Sequence, residues 1–350
     1  MTSKDGELRT ILGTMEFGKV GQKLTTDEAC QEVLEAFLAK GYKEIDTALM
    51  YGGGECEKFI GRYAPCRDPE KVTLATKINP FHPDGLTRKG VFEQAETSLH
   101  SLQVRSVDIL YLHLPDHKTP IEETLAAMQE LYKQGKFKEL GLSNFQSWEV
   151  AEIYYLCKEN GYVLPTVYQG MYNAVTRRVE DELFLCLRRF NIRFYAYNIL
   201  AGGLLTGMYN FSVQDDKQRI GRFWGGENDT WMEQVYRSAY WRDSLFKGIE
   251  GIKAAVEKAY GGKVSVVNAA IRWAVHHSQL DAKHGDGILF GGSSLKHILS
   301  NIDATKEGPL EDDVVKALDE AWELDKTNCA PYYLSDRNKM LNKILPIKKL

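Results

Sequence analysis

VDILYLHLPDHKTPIEETLAAMQELYKQGKFKELGLSN, residues 107–144, contains one complete strand–helix–strand unit. VDILYLH (107–113) is a short run of β-branched and aromatic residues. Ile121, Leu125, Met128 and Leu131 then recur at helical spacing, Gly135 closes that stretch, and KELGLSN (138–144) starts a second β-type run. Two short apolar runs joined through an amphipathic helix are the mark of parallel βαβ organisation.

Working outward, the same alternation recurs. Further strands are predicted at Arg9–Thr14, KEID (43–46), KVTLATK (71–77), TVYQ (166–169), IRFYAYN (192–198) and GILFGG (287–292), which brings the total to eight. Thr26-Asp27 opens the first helix, whose apolar stripe is Ala29, Val33 and Phe37. Gly41 follows it, and Gly161 ends another helix. Eight strands with eight crossovers predict an α/β fold, a (β/α)8 TIM barrel, with an open doubly wound sheet as the alternative. Residues 201–245 are rich in Gly and aromatic residues without clear periodicity, and a loop of that length in a compact domain signals function. After Pro309, EDDVVKALDEAWEL reads as an outer helix that brings Tyr332-Tyr333 toward a barrel mouth. With no linker and no repeat of fixed period, residues 1–350 are expected to form a single domain with long loops over its C-terminal face.

Composition narrows the function classes. Of 350 residues, 43% are hydrophobic and 26% charged, a globular balance, and the net charge of −4 lacks the broad basic field that nucleic acid attracts. Cysteines 30, 56, 66, 157, 186 and 329 form no CxxC pair and no zinc spacing, so reduced thiols are expected. MTSKDGELRT carries no signal-peptide run, and no stretch of about 18 apolar residues could span a bilayer, so the cytoplasm is the expected compartment. The final Lys348-Lys349-Leu350 reads as a basic, solvated tail rather than a targeting tripeptide.

In a barrel the active site forms where the strands end. Those ends supply Asp46 and, one short loop later, Tyr51; then Lys77, His113, Ser143-Asn144, Gln169, Tyr197-Asn198 and Ser293-Ser294. A phenol ordinarily titrates near pH ~10 and is a poor acid near neutrality, but a nearby ammonium favours phenolate and a carboxylate can hold that ammonium. Tyr51, Lys77 and Asp46 fit those parts, and His113 can hydrogen-bond a carbonyl and orient it. HLPDH could instead suggest a metal site from His113, Asp116 and His117, but no other strand end offers the further ligands, so no metal is expected. Gly52-Gly53-Gly54 lacks the Lys-Ser or Lys-Thr of a P-loop and reads as a turn. His276-His277 read as surface or packing residues.

IDTALMYG, ATK and LYLHLPD resemble the tetrad motifs of the aldo-keto reductases. VDILYLHLPDHKTPIEETL, LGLSNFQSWEVAEI, LPTVYQGMYNAVTRRVEDEL and FYAYNILAGGLLTGMY resemble the aflatoxin-aldehyde reductase subfamily, with similarity from Leu12 to about Tyr333. The resemblance implies an NADPH-dependent aldehyde and ketone reductase for detoxification of reactive carbonyls, with Tyr51 as proton donor, Lys77 lowering its pKa, Asp46 supporting the lysine and His113 positioning the carbonyl. It also implies extended NADPH, in keeping with the lack of a GxGxxG after any strand. Asp46, Ser143, Asn144 and Gln169 would then lie at the nicotinamide, with Tyr197 stacked on its ring. The segment from Asn198 to Met208, including Leu200, Gly202, Leu204 and Gly207, would wrap the pyrophosphate. Arg222, Gly292, Ser293, Ser294, His297 and Asn301 would hold the adenosine end.

The glycines of AGGLLTG would let backbone N–H groups approach phosphate. Arg222, with Lys296 and His297, would favour the extra phosphate of NADPH, although the subfamily usually has Glu and Gln at 296 and 297. Two subfamily arginines that grip substrate carboxylates are replaced here by Ala239 and Leu334. Weak use of acidic substrates is therefore expected, unless Arg237 or Arg242 compensates. The expected pocket is apolar and aromatic: Met50, Phe223, Trp224, Tyr236, Tyr240 and Tyr332. A homodimer is implied by the resemblance alone, and a cofactor-sensing regulatory subunit with slow or no turnover is the alternative function.

Overall fold

The computed structural model describes residues 6–18, 24–213, 221–224 and 230–333. In chain order the elements are β1 (Arg9–Gly13), α1 (Asp27–Ala39), β2 (Glu44–Asp46), α2 (Glu55–Arg62), β3 (Thr73–Ile78), α3 (Arg88–Leu102), β4 (Val107–Leu112), α4 (Ile121–Lys133), β5 (Phe137–Ser143), α5 (Ser147–Glu159) and β6 (Pro165–Met171). They continue as α6 (Leu183–Arg189), β7 (Arg193–Tyr197), α7 (Thr230–Tyr240), α8 (Asp243–Tyr260), α9 (Val266–His276), β8 (Gly287–Phe290), α10 (Leu295–Ala304) and α11 (Asp312–Asp325). The eight strands pair in parallel in sequence order and close into a barrel through β1 and β8, so the open sheet is excluded.

Each strand falls on a run picked out by the sequence pattern. Thr26 caps α1 by accepting a hydrogen bond from the Ala29 N–H at 3.2 Å. The stretch 201–245 differs from expectation: it contains a 3-10 turn at Ala201–Thr206, the whole of α7 and the start of α8. Helical periodicity is hard to see there because α7 is short and, among its described side chains, the buried positions are the tyrosines 236 and 240. The expected tail helix is α11, which packs on α8. All six cysteines carry free thiols. Among the described residues no helix is long and apolar enough to cross a membrane.

The main core lies between strands and helices, while Ile11, Ala75, Ile109, Tyr111, Val167 and Tyr195 fill the barrel interior. Gly141 makes room for Tyr111: a Cβ there would stand 2.3 Å from the ring. Below this layer a polar network closes the N-terminal end. Arg9 donates to Glu44 at 2.7 Å, as does the Tyr195 hydroxyl, which itself accepts from Arg193 Nε at 3.1 Å. Arg193 also grips Glu139 at 2.6 and 3.2 Å. With that end sealed, a cavity of about 580 Å³ at the C-terminal end receives the side chains of the strand exits.

Candidate active site

The chain leaving β2 keeps running along β3: Thr47 N–H donates to Ala75 C=O at 2.9 Å and Leu49 N–H to Lys77 C=O at 3.3 Å. This delivers Tyr51, at the start of a turn containing left-handed Gly52 and Gly53, beside Lys77. Lys77 is fully buried and places its three ammonium donors on Asp46 Oδ1, on Thr47 C=O at 2.7 Å and on Tyr51 Oη at 3.4 Å. The other Asp46 oxygen accepts from Gln169 Nε2 at 2.9 Å. His113, just past β4, meets Tyr51 edge to face at 5.7 Å between ring centroids. Its Nδ1 has no hydrogen-bond partner. The four groups singled out from the strand ends thus converge on one point, and Tyr51, His113 and Asp46 line the cavity.

Protonation follows from this packing. Burial pushes the Asp46 carboxyl up and the Lys77 ammonium down, and their mutual contact opposes both shifts. Burial, reinforced by the Lys77 charge, pulls the His113 imidazole well below its usual range, so the ring is neutral at pH 7. Tyr51 departs from expectation: burial and the Asp46 carboxylate push its phenol well above the usual range, against the pull of the Arg222 guanidinium. The surroundings therefore keep the acid protonated. The ammonium at 3.4 Å acts on the phenolate that remains once the proton has left.

Along the next exits, Asn144 and Asn198 adopt left-handed backbone, with φ of 65° and 62°. Asn144 Nδ2 donates to His113 C=O and to Ser143 Oγ, both at 2.9 Å, and its Oδ1 accepts from Tyr197 Oη at 2.8 Å. Asn144 is thus engaged in fixing the Tyr197 ring against the cavity, which leaves Ser143 and Gln169 as the freer polar groups. A hydroxyl, a carboxamide and a clamped aromatic face, in a cavity of ligand size, fit a planar ring bearing a carboxamide such as nicotinamide.

The glycines of AGGLLTG have a different reason from the expected phosphate cradle. Gly202 N–H is already donated to Asn198 Oδ1 at 2.6 Å, and the N–H groups of Gly203 and Gly207 go to Leu200 and Leu204 C=O. A Cβ on Gly202 would lie 2.4 Å from Tyr236, so only glycine there lets α7 close over the turn, while Gly203 and Gly207 take left-handed φ of 98° and 70°. Leu204 is buried, and neither it nor Leu200, Gly202 or Gly207 lines the cavity. Arg222 and Asn198 do line it. Arg222 bonds to Glu16 at 2.8 Å and to Tyr236 Oη at 2.9 Å. Gly292, Ser293, Ser294, His297 and Asn301 lie at the β8–α10 junction outside the cavity, where Ser294 caps α10 and Asn301 is buried; Gly291 takes the place at the cavity wall.

On the substrate side, Met50, Tyr236, Tyr240 and Tyr332 line the cavity as expected. Phe223 and Trp224 do not. Phe223 is fully buried among Tyr209, Tyr236, Tyr240 and Trp241, and Trp224 packs on Trp241, so both are core that supports the wall from behind. Ala239 faces the cavity, and Leu334 lies outside the described residues. Neither arginine is placed to compensate: Arg237 stacks between Trp224 and Trp241, and Arg242 is held by Asp325. Asp116 accepts from the Leu86 and Lys118 N–H groups and His117 pairs with Glu149 at 2.7 Å, so HLPDH is a loop-closing motif and gathers no metal ligands. Sequence reading passed over Glu16, Phe81 and Met171, which also line the cavity. TMEFG directly after the first strand was the available signal for Glu16.

A parallel eight-stranded barrel with a Tyr–Lys–Asp–His cluster at its C-terminal mouth defines a carbonyl-reducing oxidoreductase. The chain belongs to the aldo/keto reductase family, whose profile matches residues 9–323. It is similar to human (Homo sapiens) aflatoxin B1 aldehyde reductase member 2, at 50% identity over 93% of this chain and 89% of that one. It is also similar to human aflatoxin B1 aldehyde reductase member 4, at 48% over 93% and 97%, and to human aldo-keto reductase family 7 member A3, at 48% over 93% and 96%. The family acts on aldehydes or ketones with a nicotinamide cofactor.

Proposed function

We propose that the protein uses NADPH to reduce aldehydes, and some ketones, to alcohols, with apolar, aromatic or dicarbonyl substrates preferred, as a cytosolic step in detoxifying reactive carbonyls. The observation that carries this reading is the Lys77 ammonium 3.4 Å from the Tyr51 phenol at the base of a cavity that His113 also lines. Bound cofactor supplies hydride to the carbonyl carbon. The neutral His113 donates a hydrogen bond to the carbonyl oxygen and orients it. Tyr51 gives that oxygen its proton, and the phenolate left behind is stabilised by Lys77, which Asp46 holds in place.

Ser143 and Gln169 hold the carboxamide of the cofactor, while Tyr197, fixed through Asn144, supports its ring. Arg222 supplies cationic charge for a phosphate, and the adenosine end extends toward Ser293, Ser294, His297 and Asn301. Preference for uncharged substrates rests on Met50, Tyr236, Tyr240 and Tyr332 around Ala239. The test is initial-rate NADPH oxidation with carboxylated, aliphatic and aromatic aldehydes. Multiple turnovers with aromatic aldehydes are expected. A single slow turnover, or a strong preference for succinic semialdehyde, would overturn the proposal.

A further inference from the structure

One ionisable group close to the tetrad plays no part in the mechanism above. Glu57, in the first turn of α2, has no solvent exposure at all. One of its oxygens accepts a hydrogen bond from Thr76 Oγ1 at 2.5 Å. Thr76 is the residue before Lys77, and because side chains alternate along a strand, Thr76 points out toward the helices while Lys77 points into the barrel. The other Glu57 oxygen lies near the equally buried Ser98 hydroxyl of α3, close enough for that hydroxyl to favour the carboxylate but without the geometry of a formed hydrogen bond.

A carboxylate in so dry a place is costly unless fully paired. Burial pushes the Glu57 carboxyl above its usual range, against the Thr76 and Ser98 hydroxyls and the Lys77 charge. In the protonated form its O–H can donate to Ser98 Oγ, which satisfies both orphaned atoms at once. The residue next to it is anchored as well: Cys56 Sγ donates to Phe17 C=O at 2.8 Å. The first turn of α2 is thereby pinned between the exit of β1 and the outer face of β3. The turn bearing Tyr51 runs directly into that pinned segment.

We propose that Glu57 is a positioning residue for carbonyl reduction: its carboxyl ties α2, and with it the Tyr51 turn, to β3 one residue before Lys77, and so fixes the distance between phenol and ammonium. The proposal deepens the reductase reading and rests on it. The tie proposed is the hydrogen-bonded one, which an amide of the same shape can replace; any charge that a carboxylate would set near Lys77 is lost in both variants below. Glutamine would accept from Thr76 and donate to Ser98, whereas leucine fills the space and does neither.

The experiment compares Glu57→Gln and Glu57→Leu with the wild type, each shown to be folded by circular dichroism. Glu57→Leu is expected to lower kcat about tenfold, since small misplacements of reacting groups are expensive. KM for an aromatic aldehyde and the Kd for NADPH, from fluorescence titration, should stay within about twofold, and Glu57→Gln should restore kcat. Thr76→Val should reproduce the leucine effect, and the double variant should be no worse than either single one. An unchanged kcat in folded Glu57→Leu, or failure of glutamine to restore it, would overturn the inference.

A measurement free of turnover separates the two readings. With 3-fluorotyrosine at position 51, the 19F resonance should titrate at higher pH in Glu57→Leu than in the wild type or Glu57→Gln, because the ammonium has moved away. If the wild type fails to turn over while this shift is seen, the reductase reading fails and the positioning role stands. If the wild type turns over and all three proteins titrate alike, the positioning role fails alone.

Discussion

At both ends of the barrel a tyrosine hydroxyl sits among charged groups, and the two are used in opposite ways. At the N-terminal end, Tyr195 donates to Glu44 and accepts from Arg193, and Glu139 takes hydrogen bonds from Arg193 and Thr166. At the C-terminal end, Tyr51 accepts from Lys77 and lines the cavity, but among the described residues nothing accepts its proton. Polar groups bonded to one another rigidify a wall, whereas a donor that lines a cavity and has no acceptor is available to a substrate. Arg9 Nε of the seal also lacks a partner but has almost no solvent access, so the difference between a structural seal and a reactive mouth lies in whether an open hydrogen bond faces a cavity, not in the residue types present.

The largest effect should come from removing the open proton. Tyr51→Phe is expected to lower kcat about a thousandfold or more while NADPH binding, read by fluorescence, changes less than about twofold. Comparable loss of both would erase the contrast between mouth and seal. Lys77→Met is the next step down. It should cost about a hundredfold in kcat, because the phenolate loses its ammonium. It should also lower stability, because Asp46 is left buried beside Gln169 alone. Urea denaturation together with initial rates separates the two effects.

The same surgery on the seal should spare chemistry. Burial works against the Glu139 carboxylate, but the hydrogen bonds and charge of Arg193 outweigh it and hold that carboxyl below its usual range. A carboxyl depressed in the folded state stabilises the fold above the ordinary carboxylate pKa of about 4.3, and that contribution fades as pH falls through the folded value. Arg193→Met should therefore cost about 2 kcal/mol at pH 7, a figure reduced because Glu139 is partly exposed. The loss should shrink below about pH 4, with kcat unchanged for as long as the protein is folded. A kcat that drops with stability would mean the two ends are coupled.

Legibility in the sequence followed the same division. Strands were visible because buried parallel strands are continuous apolar runs with turn residues between them, and VDILYLH and IRFYAYN fall on β4 and β7. Asp46, Tyr51, Lys77 and His113 were visible because strand ends are countable positions. Side chains placed by a longer segment were not. Phe223 and Trp224 look like pocket residues, yet α7 turns them into core, and no local pattern announces which aromatic of a cluster faces inward. The reason for Gly202 was equally hidden: it depends on Tyr236, 34 positions away, closing over it.

The mouth's remaining adaptability can be tested at Ala239. Its methyl group faces the cavity between Val235, Tyr236 and Tyr240, and the nearby arginines 237 and 242 are tied down by tryptophans and by Asp325. Among the described residues the one arginine that lines this cavity, Arg222, is already bonded to Glu16 and to Tyr236 Oη. Arginine has the reach to extend from 239 into the cavity and to pair with a carboxylate in two hydrogen bonds. Such a contact in a partly solvated site contributes about 1.4 kcal/mol, which corresponds to about tenfold in affinity. Ala239→Arg should thus raise kcat/KM for succinic semialdehyde about tenfold relative to an uncharged aldehyde of similar length, mostly through KM. An unchanged ratio would mean that charge selection at this mouth is set elsewhere, with Arg222 and its Glu16 partner as the next pair to vary.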